Sequence, residues 1–196
     1  MSWRFILCVV WLVGASAAVG LADDPEILVA YYSETGHTEA LAESVVAGAR
    51  SVDGVAVHLK PVGEATPADA QSADAVILGS PVYNANVAPP VMEFVNQWPL
   101  EGAPMKNTLG AAFVTGGGLS AGEELVQMQL LQAMLIFGMI VVGGPEWTQA
   151  FGASAITEEP PFDDPPDDSV IAPDFADKGE ALGERVARLA RERDGR

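Results

Sequence analysis

Cysteine is nearly absent from this chain. The single one, Cys8, lies inside an apolar N-terminal run, so the remainder has no disulfide framework and no thiol chemistry. Basic residues are also scarce: 10 Lys and Arg stand against 27 Asp and Glu, a formal net charge of −17. Between Ser51 and Asp177 the only cations are Lys60 and Lys106. Such a surface repels phosphate backbones and anionic membranes, which argues against nucleic acid as a partner. Histidine is limited to His37 and His58, and the Pro-spaced acids of Glu158 to Asp168 follow no metal-loop pattern. Neither an internal repeat nor a twin arginine is present. At 196 residues the length suits one domain with a proper core.

What is present begins with a leader-like segment. Arg4 supplies a positive start, Phe5 to Val13 an apolar stretch, and Gly20-Leu21-Ala22 a cleavage site ahead of Asp23-Asp24. Two alternatives compete with it. One is a buried first strand, a role that Ile27 to Tyr32 already fills. The other is an uncleaved anchor, for which the apolar run is near the lower length limit. Leader or anchor, residues 1–22 would put a domain of residues 23–196 outside the cytoplasm, as a periplasmic, secreted or membrane-anchored protein.

The rest alternates between two hydrophobic periods. Glu26 to Tyr32 and Ala73 to Gly79 are continuous apolar runs, as expected of strands buried on both faces. Val55 to Leu59 alternates, and Leu109 to Thr115 and Met139 to Val142 read as further strands. Between them Thr38 to Arg50, Pro89 to Trp98 and Glu123 to Phe137 have helical spacing, and a last helix runs from about Phe175 to Arg193. Gly144 to Pro173 reads as an irregular, exposed connection, most disordered over Glu158 to Asp168. Strands alternating with helices predict an α/β fold. A five-stranded parallel sheet in the flavodoxin-like order 2-1-3-4-5, with helices on both faces, has its ligand crevice at the carboxyl ends of strands one and three.

Three loops fall on that edge. The first is Ser33-Glu34-Thr35-Gly36-His37-Thr38, with hydroxyls, a glycine and a helix start whose free N–H groups suit a phosphate dianion. An ordinary helix cap by Ser33 or Thr35 is the plainer reading of that loop alone. The second, Pro81-Val82-Tyr83-Asn84-Ala85, offers Tyr83 to stack on a flavin ring; taken singly it is a plain turn. The third, Thr115-Gly116-Gly117-Gly118-Leu119-Ser120, lets main chain approach the polar edge of that ring; taken singly it is a flexible connector. His37 either donates to phosphate or is a loop histidine, and His58 and Tyr31 read as structural.

Leu28 to Ser33, Gly36-His37-Thr38-Glu39, Val46 to Ala49, Ser80-Pro81, Asn86, Gly116 to Glu123, Phe137-Gly138-Met139 and Phe151 to Ser154 resemble the flavodoxin-like NAD(P)H:quinone oxidoreductases named for tryptophan-repressor binding. The likeness runs along nearly all of the chain after Asp23. It implies FMN as cofactor, a reduced nicotinamide and a quinone-like acceptor as partners, and a possible homo-oligomer. The chain departs from the family where Tyr83-Asn84-Ala85 replaces an Arg-Phe-Gly run and where Ile136 and Phe137 replace a histidine pair. Those departures touch the substrate side more than the flavin side. No protein general acid is evident. Two other functions fit the same residues: a non-enzymatic electron carrier that docks to a redox protein through its acidic face, and a binding domain without turnover. The first loop matches flavodoxins proper as well. The scarcity of Lys and Arg around the loops weighs against a multiply charged nicotinamide, while the third loop and the length of the likeness favour the oxidoreductase. Apolar residues nearly all round Leu125 to Phe137 predict contact with another subunit.

Overall fold

The computed structural model describes residues 24–166 and 169–194, and the leader-like segment with its cleavage site lies outside them. In chain order the elements are β1 (Glu26–Tyr31), α1 (His37–Arg50), β2 (Ala56–Pro61), α2 (Pro67–Ser72), β3 (Ala75–Tyr83), β4 (Asn86–Val87), α3 (Pro89–Asn96), β5 (Leu109–Gly116), α4 (Glu123–Ile136), β6 (Ile140–Val141), β7 (Ala153–Ile156) and α5 (Pro173–Asp194). The main sheet path is β2-β1-β3-β5-β6, parallel throughout, which is the flavodoxin-like order. β1, β3 and β5 are apolar on both faces because both faces are covered. Ile27, Val29, Ile77, Ala111 and Phe113 meet Leu41, Val45, Leu182 and Val186 on the side of α1 and α5. Leu28, Ala30, Val76, Leu78 and Val114 meet Phe94, Leu130 and Met134 on the side of α3 and α4. β2, at the edge, is only half-buried.

Three features differ from the sequence expectation. Among the described residues the sheet has seven strands, because β4 forms a hairpin with β3 and the fifth position is filled in two pieces. Ile140-Val141 pairs with Leu109-Gly110; residues 142–152 then leave the sheet, and β7 rejoins beside Phe113 to Gly116. The Gly144–Pro173 connection is therefore not irregular throughout: Ala153, Ala155 and Ile156 are buried in the sheet. Nor is its acidic part loose, since Phe162 packs on Phe175 at 4.9 Å between ring centroids; Asp167 and Asp168 fall outside the described residues. Finally, α2 was not anticipated. Thr66 and Asp69 form a reciprocal capping box around Pro67. Only Ala70 of that helix is buried, so its hydrophobic signal is weak.

α1 and α5 cross at backbone distance. A Cβ on Gly48 would lie 1.9 Å from the Glu180 carbonyl oxygen, and one on Gly183 would lie 1.9 Å from that of Val45. Only glycine permits that approach.

Candidate functional site

The parallel sheet brings the three predicted loops to one edge. Thr38 at the start of α1 and Thr115 at the end of β5 are 77 residues apart, both buried, with their hydroxyls 2.7 Å from one another. This contact joins the first loop to the third. It also turns the Thr38 side chain inward, so what Thr38 can offer a phosphate is its main-chain N–H.

The first loop is arranged for an anion. Gly36 adopts φ +92, the left-handed region that glycine tolerates, and no side chain caps the first amides of α1. Open space lies where a Gly36 side chain would point. The Ser33 hydroxyl oxygen accepts from Gly36 N–H at 3.1 Å, which leaves its own hydrogen free to donate outward. Thr35 Oγ1 and His37 Nδ1 are 3.0 Å apart at the surface. Glu34 instead reaches the second loop and accepts a hydrogen bond from the Tyr83 hydroxyl.

The second loop is the tip of the β3–β4 hairpin. Val82 pairs with Val87 and Tyr83 with Asn86, so Asn84 and Ala85 form a two-residue turn with φ +53 and +60. That turn matches the twist of a hairpin, and alanine there carries strain of about 1–3 kcal/mol. Gln129 of α4 braces it, accepting from Val87 N–H at 3.2 Å and donating to the Ala85 carbonyl at 3.4 Å. The Tyr83 ring stands edge-on to Tyr32, with centroids 6.3 Å apart. The bond to Glu34, followed by burial and Tyr32, pushes the Tyr83 phenol well above its ordinary range. On the opposite face of the sheet, burial and then a 2.7 Å bond to Glu39 push Tyr31 up to about 12.

The third loop is pinned by carboxylates. Glu123 accepts from Ser120 N–H at 3.2 Å and Gly122 N–H at 3.1 Å; Glu159 accepts from Leu119 N–H at 2.6 Å. β7 carries Glu159 there by continuing to pair past its end: Thr157 N–H donates to the Gly116 carbonyl and Glu158 N–H to that of Gly117, each at 3.0 Å. Tyr32, Glu123, Gln129 and Glu159 were not anticipated as parts of this site. Glu123 lies in the Gly116–Glu123 run of the family likeness and was within reach; Gln129 and Glu159 have no local signal, since each meets a loop about forty residues away in sequence.

These residues fit FMN. Uncapped amides with the Ser33 and Thr35 hydroxyls suit its phosphate, and the Tyr83 ring with the ordered main chain of Gly116 to Ser120 suits its ring.

Comparison with known proteins shows the family to which the chain belongs. The family described as NADPH-dependent FMN reductase matches residues 27–153. A flavodoxin of Aquifex aeolicus is 33% identical over 138 residues, covering 65% of this chain and 72% of its own. An NAD(P)H dehydrogenase (quinone) of Azorhizobium caulinodans is 31% identical over 144 residues, covering 61% and 71%. Among solved structures, a flavodoxin, WrbA-like protein from Agrobacterium tumefaciens superposes with a TM-score of 0.69 at 21% identity, covering 86% of this chain and 98% of its own. A Megasphaera elsdenii flavodoxin superposes at 0.59 with 25% identity, covering 83% and 98%. Because the family match runs from β1 to the start of β7, the chain belongs to the NADPH-dependent FMN reductase family, as an FMN-binding oxidoreductase on the flavodoxin-like fold.

Proposed function

We propose that this protein passes two electrons from a reduced nicotinamide, through FMN, to a quinone-like acceptor. The observation that carries the reading is the third loop: its amides are held by Glu123 and Glu159 in one ordered path beside the hairpin. FMN, held by these residues, would supply the two-electron redox chemistry that links donor to acceptor. The net change is NAD(P)H, a proton and quinone giving NAD(P)+ and hydroquinone. The chain's own part is placement. Amides of His37 and Thr38 with the Ser33 and Thr35 hydroxyls hold the phosphate, Tyr83 flanks the ring, and Gln129 keeps the hairpin in place. Tyr83 is not assigned as a proton donor, because its hydrogen is committed to Glu34. The quinone acceptor is supported by the name of the Azorhizobium relative. Single-turnover bleaching of the FMN-loaded protein by a reduced nicotinamide, followed by reoxidation with a soluble quinone, tests both halves. Bleaching without quinone turnover would favour the second reading, an electron carrier, which the likeness to the Aquifex flavodoxin supports.

Two further properties belong to the same proposal. Leu125 to Pro145 contains no charged residue, and Leu125, Leu135 and Ile136 of α4 are exposed, Ile136 by 72%. In a chain of net charge −17 this neutral face is where a second copy can approach without repulsion. A monomeric mass by light scattering at micromolar concentration would count against it. The domain is also proposed to work outside the cytoplasm, by virtue of residues 1–22; recovered protein should then begin near Asp23, and intact Met1 protein in the cytosol would refute this.

A further inference from the structure

The carboxyl edge of the sheet is acidic at its first and third loops and along the segment that follows β7. Glu34 stands at the first loop, Glu123 and Glu159 hold the third, and the segment after β7 adds Glu158, Asp163 and Asp164, all three exposed. Residues 32–38, 80–88, 115–124 and 157–166 include no Lys or Arg. Two cations stand toward this end of the molecule. Lys60 is held by Asp69 at 2.8 Å, and Lys178 lies over the Phe175 ring, 5.5 Å from its centroid. Among the described residues, Glu158, Asp163 and Asp164 make no ion pair.

We propose that this carboxylate rim selects the electron donor by charge, so that NADH is taken in preference to NADPH. The inference rests on the reading that a reduced nicotinamide is the donor, and it runs opposite to the coenzyme in the family's description. The two coenzymes differ by one phosphate monoester, about −1.5 to −2 charges at neutral pH. Sites that accept that phosphate supply an arginine for it, and these loops have none. A cleft walled by one sign of charge alters encounter rates by about 10- to 1,000-fold. The effect is one of field, so salt must erase it: the screening length falls from about 30 Å at 0.01 M to about 3 Å at 1 M.

The test uses the full chain loaded with FMN, with flavin bleaching by NADH and by NADPH followed in stopped flow from low to high salt. The second-order rate at low salt is expected to favour NADH by about tenfold or more, with the gap closing as salt rises. The triple variant Glu158→Gln, Asp163→Asn, Asp164→Asn leaves the loop-holding Glu123 and Glu159 in place. It should narrow the gap at low salt, chiefly by raising the NADPH rate. FMN quenching shows that the variant is folded. Calorimetric titration with NAD+ and NADP+ should give the same order and the same salt dependence. NADPH reacting as fast as NADH at low salt, or a gap that salt leaves untouched, would overturn the inference. Failure of both coenzymes on a flavin that dithionite bleaches would overturn the donor reading itself, and the inference with it.

Discussion

Helices α1 and α4 begin alike and are used differently. Each follows a glycine in the left-handed region, Gly36 at φ +92 and Gly122 at φ +111, and neither has a side-chain cap. In front of α4, however, carboxylates from Glu123 and Glu159 take up the loop amides of Leu119, Ser120 and Gly122. In front of α1, Glu34 is drawn away to Tyr83 and the first-turn Glu39 to Tyr31, which leaves hydroxyls and an imidazole beside the free amides. Both helix starts carry the partial positive charge that favours anions. One satisfies it with the protein's own carboxylates, and the other leaves it for a ligand. On the function proposed above, the phosphate would take the start of α1 and the flat, uncharged ring the loop before α4.

The comparison breaks most sharply if α1 is given a carboxylate too. Thr35→Asp places a charge within reach of the phosphate position; at about 4 Å and an intermediate dielectric this is worth about 4 kcal/mol. Expected is a loss of FMN affinity of a hundredfold or more with riboflavin little changed, read by fluorescence quenching. Equal losses for both flavins would show that the loop had merely collapsed.

Next in size is the tie between the start of α1 and the end of β5. Thr38→Val or Thr115→Val alone strands a buried hydroxyl, which costs about 1–3 kcal/mol, whereas replacing both costs less than the sum. Denaturant midpoints of the two single variants and the double variant measure this coupling. Strict additivity would mean that the hydroxyls do not bond.

The α4 side is probed by Glu159→Ala. Freeing Leu119 N–H should loosen the ring loop and weaken FMN and riboflavin equally, by several-fold for about 1 kcal/mol, with Gln restoring part. A loss confined to FMN would contradict the division of labour between the helices.

The smallest expected effect is at α2, away from both loops. Lys60, then Thr66, holds the Asp69 carboxyl down at about 2, below its ordinary 3.8. A lowered folded pKa means that this stabilisation is complete above about pH 4 and is lost as pH falls toward 2. Asp69→Asn should flatten the acid limb of a stability–pH profile in that window and leave flavin affinity as it was.

The strands that centre the sheet were readable because burial on both faces makes Ile27 to Tyr31 and Ala75 to Gly79 uninterrupted in apolar character. The first loop was readable because hydroxyls, glycine and helix start are contiguous. β7 was not, since Ala153-Ser154-Ala155-Ile156 is too short and too small-sided to show a period. Long-range ties such as Thr38 to Thr115 and Glu159 to Leu119 leave no local mark, because each partner alone is an unremarkable polar residue in a loop or cap. The loops that the sheet brings to one edge were therefore more legible in the sequence than the ties that hold them.

The glycine crossing of α1 and α5 has a consequence for how the molecule is made. α1 emerges early in synthesis, and the sheet covers part of its apolar surface, but the strip along Leu41, Val45 and Gly48 that faces Gly179 to Gly183 is covered by α5, which comes much later in the chain. A contact of such sequence separation closes late and slowly. The nascent domain must keep an apolar strip of its first helix bare until its last helix arrives, and that interval is when the chain is most open to aggregation or to a chaperone. Because the groove is cut to backbone depth, no bulkier helix can fill it in the meantime.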